Sequence, residues 1–529
     1  MNLTVVHYRI YSLRSCIIQV LLLSTLWSAN EGHIEVGKLW IGPSVTNYGY
    51  MGNFEYPGGS KDYYVLEQSN VFSCVIGADT LVLYGGTLGN ELDYGWQNAD
   101  TYFDPWTKLG NGTSQIHLSA NSNFNNYADG DLPLELTTNI WAFNHPDYED
   151  FVIIEHSFTN TGTEPILDFY YGSHLPVDVG ASGISYKDLD DYGEFDSNSG
   201  FTYMFDDNGD GGLTPYLCGQ VLLGVDTGSG IDTTTRWNNA QFYQMVNPIS
   251  GEKDMLKKLT GGIMNSTGNP GPWSILNAVG PYTLLPGSTL CFSMAVVYGE
   301  GLTDAIVNVQ MAKELAQMSY SIPSSKVPPP VPLLGEINVS SRVIELRWEG
   351  SASTVNDYSN YNLYRSSVSA VGPWGFLTAT TDTQYVDIGR SGFPLYYSIT
   401  SVDQSGNESG QWGRANRTLE AVRPVGKAVK NLGKVIVVPN PYLGGADWET
   451  NDYEDRIYFT QLPDPCTIYI YTLSGNLVKK LPHSGSGWES WDLLSNNKQT
   501  IASGLYLFRV VTPGKAETTG KFVIIKGSQ

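Results

Sequence analysis

The sequence runs to 529 residues and sets 30 Lys and Arg against 53 Asp and Glu, a net charge of −23, with 12% aromatic but only 16% charged residues. A chain of this length exceeds one ordinary domain of roughly 150 residues, and its acidity argues against nucleic acid and anionic membrane surfaces as partners, since both need a cationic face. Few charges together with 57 Gly and 34 Tyr predict a β-rich extracellular protein rather than a helical cytosolic one.

At the N-terminus, Arg9 and Arg14 precede an apolar run from Cys16 to Trp27, followed by Ser28-Ala29-Asn30. A basic start and a short apolar stretch predict an export signal over residues 1–29. Trp27 is bulky where a small residue favours cleavage, so an uncleaved anchor is the alternative. No transmembrane segment is expected after the signal, because no later stretch reaches roughly 18 uninterrupted apolar residues. Cys74, Cys218, Cys291 and Cys466 lie far apart, the first three in strand-like contexts. They predict buried free thiols, with one disulfide in the first domain as the alternative.

Residues 33–325 read as a large β-sandwich with one helix near its end. Apolar or alternating runs at Thr80–Tyr84, Phe151–Phe158, Gln220–Val225 and Leu290–Tyr298 predict strands. Thr159-Asn160-Thr161-Gly162, between Phe151–Phe158 and Ile166–Tyr171, predicts a β-hairpin. The spacing of Val307, Met311, Leu315 and Met318 predicts a helix over Thr303–Tyr320. Thr303 is its expected N-cap, Asp304 sits in its first turn, and the Met-bearing stripe is expected to pack on its own domain.

The Pro-rich stretch Pro323 to Pro332 marks a boundary, and the segment after it reads as about seven short strands. Residues 326–417 resemble a fibronectin type III domain. The resemblance rests on Leu346-Arg347-Trp348, Tyr361-Asn362-Leu363-Tyr364-Arg365, Thr383 to Asp387, Tyr396 to Thr400 and Asp403 to Ser409. It implies a spacer or adhesion module and assigns no activity.

Residues 418–433 read as a linker whose Arg423, Lys427 and Lys430, with Lys434 just beyond, form a local basic cluster. The last segment, 434–528, again alternates as short strands. It opens on Pro439-Asn440-Pro441-Tyr442, continues through Ile468 to Tyr471, Ser474-Gly475, Trp491-Asp492 and Ala502-Ser503-Gly504, and closes on Gly520 to Lys526. On these motifs it resembles the C-terminal sorting domain of type IX secretion substrates, which is close in pattern to the Ig-like domain of flagellar hook-assembly proteins. The resemblance implies an Ig-like β-sandwich and the secretion or sorting machinery as a partner. Leu493 departs from the family pattern, which commonly has Gly after the Trp-Asp pair. The first region is similar only to uncharacterised N-terminal domains of exported proteins, through Phe151 to Gly162, Asp178-Val179-Gly180 and the helix after Gly299-Glu300-Gly301.

Asp206-Asp207-Asn208-Gly209-Asp210-Gly211 carries the strongest chemical signal. Oxygen-bearing side chains at Asp206, Asn208 and Asp210, followed by Gly, begin as a calcium loop begins. Leu217 stands where an EF-hand needs a bidentate Glu, so a full EF-hand is excluded. Asp188, Asp190, Asp191, Glu194 and Asp196 form a second acidic cluster that a strand pair would bring alongside. An Asx-rich turn explains the same residues without metal. Asp226-Thr227-Gly228-Ser229 matches the aspartic-protease tetrapeptide but has no second copy to share a proton with, so a β-turn is the better reading. His145, His156 and His174 show no ligand spacing, and His156 alternates so as to face solvent. Tyr48, Tyr50, Tyr56, Tyr63, Tyr64, Trp96, Tyr102 and Trp106 suggest stacking platforms for sugars, although β-sandwich cores use the same residues.

The expectation is therefore an all-β, multidomain chain of β-sandwiches, secreted or displayed at the cell surface. Its role is structural, adhesive or binding, with calcium as the candidate cofactor. No catalytic constellation is legible. The alternative is a secreted polysaccharide-acting hydrolase or a carbohydrate-binding protein, with extracellular polysaccharide as its partner.

Overall fold

The computed structural model describes residues 32–45, 50–85, 107–108, 115–123, 132–180, 189–207, 214–244, 252–340, 343–389, 394–424, 426–443 and 456–525. The export signal over residues 1–29 lies outside them. Of the described residues 53% are in strands and 8% in helices, which makes the protein an all-β, multidomain fold. Among them no helix is long and apolar enough to cross a membrane.

The first two sheets face each other across one apolar core. One orders its strands Gly32–Ile34, Trp40–Val45, Tyr50–Glu55, Tyr63–Ile76, Ile166–Pro176, Trp273–Leu284 and Asn239–Gln244, with Asp79–Gly85 paired to Tyr63–Ile76. The other runs Asp191–Asp196, Phe201–Asp206, Tyr216–Asp226, Thr289–Glu300, Phe151–Asn160, Leu134–Phe143, Gln115–Asn123 and Thr107–Lys108, with Ile231–Asp232 at its side. Phe72, Phe158, Phe169, Tyr171 and Phe292 stack in the centre between them. A polar seam crosses the same core. Thr202 and Asn277 bond across the sheets at 2.8 and 3.1 Å, and Gln68 and Gln220 both donate to Ser173 at 3.0 Å.

The expected hairpin at Thr159–Gly162 is a crossover instead. Phe151–Asn160 pairs with Leu134–Phe143 and Thr289–Glu300 in one sheet, while Ile166–Pro176 pairs with Tyr63–Ile76 and Trp273–Leu284 in the other. Asn160 builds the corner: its Oδ1 accepts from Gly162 N–H at 2.9 Å, and its Nδ2 donates to Glu164 O and Leu284 O. A turn signal specifies that the chain bends, and here both strands carry an apolar face that only the opposite sheet buries.

The expected helix is present as Leu302–Gln317, on the outer face of the nine-stranded sheet, and the expected stripe holds in part, with Leu315 buried and Met311 packed against the core. Ala305, Asn308, Val309, Ala312, Leu315 and Ala316 are buried, whereas Val307 and Met318 are exposed. Gly301, not Thr303, occupies the N-cap, and Asp304 accepts from Glu300 N–H at 2.9 Å. Close approach to the sheet selects the small side chains. A Cβ on Gly299 would stand 2.4 Å from Ala305 N and 2.6 Å from Ala305 Cα. Gly299→Ala is therefore expected to destabilise the protein by about 3 kcal/mol, read as a lower midpoint in urea, since backbone and not a flexible side chain must give way.

Residues 334–403 form two three-stranded sheets around Ile344, Leu346, Trp348, Tyr361, Leu363, Tyr397 and Ile399. Six strands are regular among the described residues, and a further stretch follows Tyr396–Asp403 only through isolated bridges at Leu395–Val422, Ser398–Arg417 and Val402–Glu408. The proline stretch is docked on this unit: Ser401 Oγ donates to Pro329 O and Pro330 O at 2.8 and 2.9 Å. Residues 436–525 form a three-stranded and a five-stranded sheet around Phe459, Ile468, Ile470, Trp491, Phe508 and Phe522. The segment 418–433 is tied at both ends. Thr418 N–H donates to Tyr397 O at 2.9 Å, Val429 N–H donates to Leu462 O at 3.0 Å, and Arg423 covers the Tyr458 ring at 4.8 Å.

Candidate functional site

Asp206 of one acidic cluster and Asp190 and Asp191 of the other meet at one edge of the first sandwich. Asp191 lies directly opposite Asp206 in the antiparallel pair Asp191–Asp196 and Phe201–Asp206. Side chains alternate along a strand, so Asp206 shares the face of Thr202 and Met204, which points at the opposite sheet. Both carboxylates are buried. Asp191 Oδ2 accepts from Val179 N–H at 2.9 Å, and Asp206 Oδ2 accepts from Thr214 N–H at 2.8 Å. Burial pushes the Asp191 carboxyl up to about 9, and Asp178, Asp190 and Asp206 push it the same way against the Val179 bond. Its Oδ1 has no hydrogen-bond partner among the described residues.

Of the three predicted calcium ligands, Asp206 is here, whereas Asn208 and Asp210 lie outside the described residues, as does Asp188. Asp190 lies beside Asp191, but Glu194 and Asp196 do not. Glu194 accepts from Tyr203 Oη at 2.5 Å, and Asp196 caps its own turn through Ser199. Asp178, from the strand end of the other sheet, is a member that sequence reading did not place there. Among the described residues no group of three or more His, Cys, Asp or Glu side chains could hold a metal ion.

The remaining candidates have structural roles. Asp226 Oδ1 accepts from Gly228 and Gly230 N–H at 2.7 and 2.9 Å, which is the expected turn. His156 does not face solvent: it is buried, bonded to Thr138 Oγ1 at 2.9 Å, and burial pushes it down to about 3. His174 is buried against the Tyr243 ring and pushed down to about 3 by the same cause. Tyr56 and Tyr64 are core residues packed around Tyr298 and not sugar platforms. Tyr63 is exposed at the surface, and Tyr48, Trp96, Tyr102 and Trp106 lie outside the described residues. Cys74, Cys218, Cys291 and Cys466 are free thiols.

A second polar cluster, missed in the sequence, joins the first and second sandwiches. Arg417 is buried between the rings of Trp40 and Trp412, 4.9 and 5.3 Å from their centroids. Its guanidinium donates to Ala370 O at 2.9 Å and to Gly58 O in the first sandwich. Gly410 N–H donates to Asn144 O at 3.0 Å, Arg414 pairs with Glu35 at 2.6 Å, and Lys326 pairs with Asp147 at 2.8 Å. Beneath these contacts, Asp150 accepts from Tyr56 Oη at 2.5 Å and pairs with Lys38 at 3.0 Å. Glu149 is buried beside them. Burial pushes its carboxyl up to about 8, and Asp150 adds to this while Lys38 and Arg417 oppose it. The arrangement can fix two domains rigidly, and it brings no nucleophile to a cleft.

No family model matches the chain, and no curated protein matches it. Among solved structures it is similar to a polysaccharide lyase at 11% identity and a TM-score of 0.25, over 95% of this chain and 47% of that one. A β-1,2-glucanase from Parabacteroides distasonis is 12% identical with a TM-score of 0.13, over 49% of this chain and 31% of that one. PorZ, a surface component of the type IX secretion system of Porphyromonas gingivalis, is 10% identical with a TM-score of 0.16, over 86% of this chain and 56% of that one. The chain thus spans about half the length of the lyase, and likenesses this distant carry no weight on fold, activity or ligand.

Proposed function

We propose that this is an exported protein of structural, adhesive or binding type, displayed through a C-terminal sandwich that the type IX sorting machinery reads. In this reading the first sandwich meets the environment, the fibronectin-like unit holds it at a fixed angle, and extracellular polysaccharide or a surface component is its partner. The observation that carries the reading is at Leu493. Where the resembled sorting family commonly has Gly, Leu493 holds φ 51°, a left-handed conformation that favours glycine. The opening motif supports it too: Asn440 Oδ1 accepts from Val523 N–H at 3.1 Å, and Tyr442 pairs with Ile524, so Pro439-Asn440-Pro441-Tyr442 is fastened to the closing strand Glu517–Ile525.

The test is export from a bacterium that carries a type IX system, comparing the full chain with one lacking residues 434–529. The full chain is expected at the surface or in the medium, and the truncated chain inside the cell envelope. Equal display of both chains would overturn the reading.

A further inference from the structure

We infer that the junction between the first sandwich and the fibronectin-like unit is a latch: it stays closed while Glu149 carries a proton, and on ionisation of Glu149 it opens with both units still folded. The apolar cores leave room for such a motion. Ile344, Trp348, Tyr361 and Tyr397 belong to the core of the fibronectin-like unit, and among the described residues no apolar cluster spans the two units. Hydrogen bonds, ion pairs and stacked cations hold them together, including Trp40 Nε1 donating to Trp412 O at 3.2 Å and the Arg414–Glu35 pair at 2.6 Å. Domains joined by a polar surface move relative to one another by default.

Glu149 lies within that surface and is only 8% exposed. A Cβ on Gly410 would crowd both Asn144 Oδ1 and Glu149 Oε2, so the two oxygens close on one point of the fibronectin-like unit, beside the Gly410 N–H that donates to Asn144 O at 3.0 Å. Neither oxygen has a hydrogen-bond partner among the described residues. The Asn144 amide is held in this sense at Gly413, where its Nδ2 and Asn416 Oδ1 stand 2.6 and 2.8 Å from one Cβ position. Asn416 is itself fixed by bonds from its Nδ2 to Ile399 O and Gly410 O, so turning the Asn144 amide over would bring two oxygens together. A proton on Glu149 reconciles the facing acceptors by donating to Asn144. The charges around Glu149 are Asp150 beside it, Lys38 from its own sandwich and Arg417 from the other unit, with Glu35, Glu55 and Arg414 around Arg417. Lys38 pairs with Asp150 at 3.0 Å, and Arg417 donates to Ala370 O and Gly58 O. Burial outweighs both cations and pushes the Glu149 carboxyl up to about 8. Opening returns it to water and to its ordinary range, so the closed-to-open ratio falls about tenfold per pH unit between about 4.5 and about 8 and then levels off.

The test is amide hydrogen exchange of the full chain at about pH 6 and about pH 8, corrected for the intrinsic pH dependence of exchange. Gly410 N–H, bonded to Asn144 O across the junction, reports opening, and the amides of Phe151–Asn160 and Tyr396–Asp403 report the two cores. Gly410 is expected to be protected at least tenfold less than the core amides, and its protection to fall about 100-fold from the lower pH to the higher. Glu149→Gln supplies a donor toward Asn144 at every pH and is expected to keep the Gly410 protection constant. Low urea separates latch opening from unfolding without any variant. Opening exposes little surface, so Gly410 protection is expected to be unchanged by urea while that of the core amides falls. Gly410 protection that follows the core amides in urea overturns the inference, because the junction then opens only when the chain unfolds. A Gly410 protection independent of pH in wild type, or equally pH-dependent in Glu149→Gln, overturns it by removing Glu149 from the latch.

Discussion

Replacing Arg417 with alanine is expected to cost about 3–5 kcal/mol and to uncouple the first two sandwiches. The size follows from what the guanidinium does at once. It fills the gap between the Trp40 and Trp412 rings, and it satisfies carbonyls of Ala370 and Gly58 from different sandwiches. It is also a positive charge near the buried Glu55 and Glu149. Alanine leaves a void between two indoles, two unpaired carbonyls and weaker compensation of the acids. Lysine keeps the charge but has neither the planar fork nor the stacking surface, so Arg417→Lys is expected to lose about half as much. Urea unfolding followed by tryptophan fluorescence reads the effect directly, because both flanking rings report on the junction. Wild type is expected to lose the first two sandwiches in one transition, and Arg417→Ala to show an earlier separate one. A loss below about 1 kcal/mol would place the clamp among contacts of little energetic weight.

The sequence made the fold class legible because strand-forming residues alternate in nearly every segment, and such alternation survives in any sheet arrangement. It did not reveal which sheet a strand joins. Thr159-Asn160-Thr161-Gly162 signals a bend equally well for a hairpin and for the crossover that Asn160 builds. The helix was found by its period and its buried stripe only in part: Leu315 and Met311 pack on the core, but the small residues that face the sheet were not predicted, since their selection depends on Gly299 in a neighbouring strand. The acidic edge of the first sandwich was half legible. Asp206 stands in a recognisable oxygen pattern, and Asp190 and Asp191 lie in a second cluster close in sequence. Asp178 needed the opposite sheet to arrive. The junction was not legible at all: Gly58 and Arg417 are 359 positions apart, and an Arg at a domain edge looks like any solvated charge.

Glu149 is expected to make stability fall as pH rises from about 4.5 to about 8, against the buried His156 and His174, which act in the opposite direction below about 6.5, and Glu149→Gln is expected to remove that contribution. Glu149 has its pKa pushed up to about 8, chiefly by burial, from an ordinary 4.5. A group whose folded pKa is raised binds its proton more tightly in the native state. Its contribution is therefore complete below about 4.5 and is lost as pH climbs to about 8, at roughly 1.4 kcal/mol per unit between. The loss reaches a few kcal/mol, tempered by Lys38 and Arg417, which favour the ionised form. A Cβ added to Gly410 would stand 2.0 Å from Asn144 Oδ1 and 2.7 Å from Glu149 Oε2, and both oxygens lack hydrogen-bond partners among the described residues. A neutral carboxyl supplies a donor between two acceptors that would otherwise repel, and the Gln amide supplies one at every pH. Asp191 acts in the same direction and His156 and His174 in the opposite one, so the measurement is the difference between the wild-type and Glu149→Gln urea midpoints across pH. That difference is expected to grow in favour of the variant up to about pH 8 and then level off. A constant difference would mean that Glu149 is ionised in the native junction throughout, with Arg417 and Lys38 as its full counter-charges.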